Sequence, residues 1–109
     1  MILEDVGEGV HKIDRMLWQI KEAGLLKSPA GVILGTWDGC KSVMAHSLSL
    51  EEVFKHYFGK AKYPVIIGFP TGHGDLQTTL PLNARIKIDT SNTEAIKLLE
   101  PAVQQVSYR

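Results

Sequence analysis

Two short apolar runs constrain this chain most: Gly31-Val32-Ile33-Leu34-Gly35 and Pro64-Val65-Ile66-Ile67-Gly68. Each is rich in β-branched residues and bounded by glycine or proline, the signature of a buried strand. Each also empties into a glycine-containing loop. An amphipathic segment precedes each run. From Val10 to Ala23, Ile13, Met16, Leu17 and Ile20 recur at three and four, and Gly24 stands where a helix C-cap falls. Ser49 and Glu52 form a capping box ahead of Val53, Phe54, Tyr57 and Phe58, with Gly59 as the stop. Strand and helix therefore alternate along the first two thirds of the sequence.

The remainder is more strand-like than helical. Met1-Ile2-Leu3 running into Glu4-Asp5 has the look of the tail end of a strand, which leads us to expect further chain upstream. Thr78 to Leu82 is β-prone, and Ala84 to Asp89 alternates apolar and charged residues with period two, as a half-buried strand does. Thr93 to Leu99 fits a helix by periodicity. A neighbouring strand needs a partner, however, and Asn92 makes a turn ahead of it, so strand is the preferred reading. The whole predicts an α/β or mixed α+β fold, with two main helices on one or two small sheets of mixed connection.

At 109 residues the chain fits one domain spanning 1–109. Twelve basic and twelve acidic side chains cancel and are scattered, so neither nucleic acid nor an anionic membrane is an expected partner. No apolar run reaches the roughly 20 residues a membrane span needs, and the start lacks the pattern of a signal peptide. The single cysteine, Cys40, excludes an internal disulfide, and the cytoplasm is the expected compartment.

Among residues able to do chemistry, His73 stands out. Gly72 and Gly74 flank it just past a strand, where they permit tight backbone turns and leave the imidazole unobstructed as a general base. Residue types alone favour a plain surface turn. Glu4, with Asp5 and Glu8 nearby, could orient a histidine, or the three acids could form a solvated loop or favour the start of the following helix. His11, His46 and His56 show no metal-ligand spacing, so neither metal nor cofactor is expected. Cys40 has no adjacent base that would make it a nucleophile. Arg15, beside Asp14 at the start of the first helix, could meet a substrate carboxylate or simply pair on the helix surface. Trp18 and Trp37 read as core or pocket-lining residues.

Three stretches, in order, resemble the C-terminal half of the LD-carboxypeptidase family, which includes murein tetrapeptide carboxypeptidases and microcin-immunity peptidases. They are Leu3 to Glu8 running into Ile13-Asp14-Arg15-Met16-Leu17, then Gly31 to Gly35, then Pro64 to Gly74 with Thr79-Leu80-Pro81-Leu82. The resemblance implies a swivelling β/β/α layered domain and a serine peptidase whose nucleophile lies on a separate N-terminal domain. It implies that Glu4 is the orienting carboxylate and His73 the general base, with Glu8 as second candidate for the acid. Gly72, Gly74 and Arg15 are the candidate substrate contacts. The implied substrate is a murein peptide with an L,D bond before a terminal D-amino acid. Thr71 stands where the family commonly has an aromatic, Asn83 where it has glycine, and His11-Lys12 where it has Tyr-Arg.

No serine here has a nucleophile-like setting: Ser28 precedes a proline, Ser49 reads as a cap, and Ser42, Ser47, Ser91 and Ser107 fall in loops or the tail. The isolated chain is therefore expected to be inert until joined to a nucleophile domain. Two alternatives are a binding module that recognises cell-wall peptide without cutting it and a subunit of a split peptidase. An apolar docking face, and with it a homodimer, is expected of the fragment.

Overall fold

A computed structural model describes residues 1–103, so Ser107 lies outside the described residues. Five strands and two helices follow in the order β1 (Ile2–Val6), α1 (Val10–Glu22), β2 (Val32–Asp38), α2 (Leu50–Phe58), β3 (Val65–Ile67), β4 (Ile86–Ile88) and β5 (Ile96–Leu98). Strands β1, β2 and β3 form a parallel sheet in that order, while β4 and β5 pair antiparallel in a second sheet. This is the mixed α/β fold expected from the sequence, with parallel and antiparallel pairings in separate sheets.

Both helices end where local chemistry dictates. Gly24 adopts φ +79° just past α1, a conformation that costs glycine little. At α2, Ser49 Oγ accepts from the Glu52 amide at 3.2 Å and the Glu52 carboxylate accepts from the Ser49 amide at 2.7 Å, completing the capping box. The bonds that the Glu52 carboxylate accepts from the Ser49 amide and hydroxyl hold that carboxyl below the usual range. The helices lean on each other through Tyr57, whose hydroxyl bonds Asp14 O and Oδ1, both at 2.9 Å. Burial and the Asp14 carboxylate push the Tyr57 hydroxyl up to about 12.

Val10, Ile13 and Leu17 from α1, Val32 and Leu34 from β2, and Val53, Phe54 and Phe58 from α2 make one buried cluster, with Leu3 and Val65 packed against it. Ile33 is 1% exposed yet lies outside that cluster, because successive strand side chains face opposite ways. With Ile2 it lines a groove against Ile86 and Ile88 of the hairpin. Gly31 permits this approach: a Cβ there would stand 2.7 Å from Ile88 Cδ1. Helices, parallel sheet and hairpin thus stack as α/β/β layers, matching the layered fold that the resemblance implies.

Several expectations are corrected. The run Pro64 to Gly68 is an edge strand rather than a buried one, and Ile67 is 62% exposed, with no strand pairing beyond it among the described residues. Thr36 to Asp38, read as loop, continue β2 because β1 pairs with them as far as Val6↔Asp38. Thr78 to Leu82 forms no strand; Pro81 lacks a donor and Leu82 is 83% exposed, so β-propensity there finds no partner. Met16 and Trp18 lie on the outer side of α1, 40% and 58% exposed, whereas Trp37 packs edge-on to Phe54 at 5.0 Å. The segment 93–99 contains β5, the strand preferred on sequence grounds.

Candidate active site

The site lies at the carboxyl ends of the parallel strands, where open α/β sheets place their ligands. On β1, Leu3 turns toward the helices, so Glu4 projects from the opposite face. On β2, Leu34 and Trp37 both pack on the helix side although only two residues lie between them, which simple alternation forbids. A β-bulge resolves this. Leu3 pairs with Leu34 but Asp5 pairs with Trp37, so β2 carries one extra residue. Gly35 and Thr36 are thereby both presented to the Glu4 side.

The loop after β3 is bound to this stretch bond by bond. The amides of Gly68 and Phe69 both donate to Leu34 O, at 2.9 and 3.2 Å, and the Thr36 amide donates to Thr71 O at 2.8 Å. Gln77 Nε2 donates to Gly72 O, and the Thr78 amide donates to Pro70 O at 2.6 Å. Gly72 sits at φ +123°, and a Cβ on it would lie 2.5 Å from Thr36 Oγ1 and 2.8 Å from Glu4 Oε2. Only glycine lets the loop pass here.

This path delivers His73 Nδ1 to 2.7 Å from Glu4 Oε2. An ionised carboxylate only accepts, so Nδ1 carries the hydrogen and Nε2 is left as the basic nitrogen of the neutral ring. Nε2 makes no hydrogen bond among the described residues. The side chains are 54% and 33% exposed for His73 and Glu4, so the pair opens outward to whatever covers this face.

Glu8 instead reaches Lys12 Nζ at 2.9 Å, one turn into α1. Arg15 lines a surface depression with Glu8, Lys12, Met16 and Trp18, apart from His73. Of the candidate residues, then, Glu4, His73, Gly72 and Gly74 come together and Arg15 and Glu8 do not. The His11 ring lies over Gly9, where a Cβ would stand 2.7 Å from its Cε1, and His56 stacks edge-on to Tyr57. Cys40 is buried in the core, and burial raises its thiol pKa, which disfavours the nucleophilic thiolate. Ser42, Ser47 and Ser91 spend their hydroxyls on Leu48 O, Met44 O and the Asp89 carboxylate. Thr36 and Gln77 were not singled out by sequence; a polar residue closing an apolar strand beside Gly35 is the one signal that could have drawn attention to Thr36.

A carboxylate, a histidine and a glycine-framed loop thus meet in one exposed cluster at the carboxyl edge of a parallel sheet. Residues 1–88 match the LD-carboxypeptidase C-terminal domain, and the chain belongs to that family. It is 34% identical over 97 residues to a probable murein peptide carboxypeptidase of Bacillus subtilis, covering 88% of this chain and 30% of that protein. It is 35% identical over 75 residues to the murein tetrapeptide carboxypeptidase of Pseudomonas aeruginosa, covering 68% and 24% respectively. The crystal structure of muramoyltetrapeptide carboxypeptidase from Oxalobacter formigenes superposes with a TM-score of 0.67 at 26% identity, over 78% of this chain and 30% of that one. The chain thus spans under a third of each relative's length. Among the described residues, no helix is long and apolar enough to cross a membrane.

Proposed function

We propose that this chain supplies the acid–base half of a serine LD-carboxypeptidase that releases a terminal D-amino acid from murein peptides. The observation that carries this reading is the 2.7 Å contact between His73 Nδ1 and Glu4 Oε2, made by a histidine side chain that is 54% exposed. In this mechanism a serine on a separate nucleophile domain attacks the carbonyl carbon before the terminal D-residue. His73 Nε2 takes the serine proton as the new C–O bond forms, and Glu4 stabilises the resulting imidazolium. The imidazolium returns that proton to the leaving amine as the C–N bond breaks, and a water, deprotonated by the same nitrogen, releases the acyl group. Neither metal nor cofactor enters these steps.

The test is D-alanine release from murein tetrapeptide. The chain is assayed alone and mixed with the part of the Bacillus subtilis relative that precedes the matched region. Release in the mixture alone, abolished by His73→Ala, supports the proposal. Release by the chain alone, or a His73→Ala variant as active as wild type, overturns it.

A further inference from the structure

Thr36 belongs to neither member of the Glu4–His73 pair, yet its hydroxyl is used to full capacity. A threonine hydroxyl offers one donor and two acceptor positions. Oγ1 donates to Thr71 O at 3.1 Å and accepts from the amides of His73 at 2.9 Å and Gly74 at 3.2 Å. Two successive N–H groups that converge in this way form a concavity suited to an anion. Here a neutral side chain fills it, so these two amides are committed and oxyanion donors must come from elsewhere. The methyl group contributes as well: a Cβ on Gly74 would lie 2.9 Å from Thr36 Cγ2, so methyl and loop backbone are in close register.

The bulge in β2 is what makes this possible. Without the extra residue, Thr36 would share the helix-facing side of Leu34 and its hydroxyl would enter an apolar core. With it, the hydroxyl reaches the loop 37 residues further along the chain. We propose that Thr36 is the positioning residue of His73, its hydroxyl clamping the His73–Gly74 backbone so that Nδ1 faces Glu4. The idea rests on the reading of His73 as the base, but its test does not require turnover.

NMR ring-nitrogen shifts of His73 report the tautomer, and amide exchange reports the clamp. In Thr36→Ser, which keeps the hydroxyl, the ring holds the Nδ1–H tautomer. Thr36→Val keeps the shape and removes the hydroxyl; the ring reverts to a tautomer mixture and the His73 and Gly74 amides exchange about tenfold faster, the factor expected for one lost hydrogen bond. An unchanged tautomer in a folded Thr36→Val chain overturns the proposal. Should that variant not fold, wild-type exchange decides: slower exchange at His73 and Gly74 than at Gly72 and Asp75 supports the clamp, and equal exchange overturns it. A tautomer that responds to Thr36→Val with no turnover in the mixed assay keeps the clamp and removes the enzymatic reading. Turnover that depends on His73 with a tautomer indifferent to Thr36→Val does the reverse.

Discussion

On the helix side of β2, Val32 and Leu34 are fully buried among Ile13, Leu17 and Val53, and the contact is made by side chains filling space. On the opposite side Ile33 is buried towards the hairpin, but Gly31 just before the strand and Gly35 within it bring neighbours close through the lack of a side chain, and at the site end Thr36 substitutes hydrogen bonds for packing. The helix face is built for stability and tolerates no void; the site end of the other face is built for position and tolerates no bulk at Gly35 or Gly72. The consequence is that mutations on the two faces should separate stability from site geometry.

The largest effect on stability belongs to the packed face. Leu17 is 2% exposed, and Leu17→Ala should cost about 2–5 kcal/mol in urea unfolding while the His73 tautomer stays as in wild type. A tautomer change in that variant would erase the distinction between the faces. Gly72→Ala should cost less, about 1–3 kcal/mol from the strained backbone, yet it should break the Glu4–His73 contact, because the new methyl enters the space between Thr36 Oγ1 and Glu4 Oε2. Ring-nitrogen shifts in Gly72→Ala that match wild type would contradict this.

The smallest effect lies at the helix pair. Tyr57→Phe removes the hydroxyl that bonds Asp14 and should cost about 1 kcal/mol near neutral pH. The folded-state value, pushed up to about 12, exceeds the unfolded one. The Tyr57 contribution is therefore complete below about pH 10, the ordinary tyrosine value, and fades as pH rises through the folded value. The stability difference between wild type and Tyr57→Phe, measured by denaturant titration, should shrink across that window. A gap that widens with alkalinity would reverse the sign.

How much of this was legible in the sequence follows the range of each interaction. The two helices and the Ser49–Glu52 capping box were readable because all their partners lie within four residues. The run Gly31 to Gly35 was readable because a strand between two layers is apolar at every position. The end of β2 was not, since its continuation through Thr36 depends on pairing with β1 and on a bulge that no local pattern encodes. Thr78 to Leu82 misled in the opposite sense, its propensity being local and its partner lacking. At the site, flanking glycines drew attention to His73, but its partner Glu4 is 69 residues away. Residue types left that acid among three, and the family resemblance, not spacing, favoured Glu4. Thr36 escaped notice because its role arises only after the bulge has turned it.

The proposed chemistry requires Glu4 to hold His73 in the tautomer that leaves Nε2 basic. The most direct measurement is the rate of D-alanine release by Glu4→Gln in the mixed assay described above, at saturating murein tetrapeptide. Loss of orientation and of imidazolium stabilisation predicts a fall of about 10²–10⁴-fold with the fold intact. A rate within about twofold of wild type, a difference of under 1 kcal/mol in barrier, would contradict it.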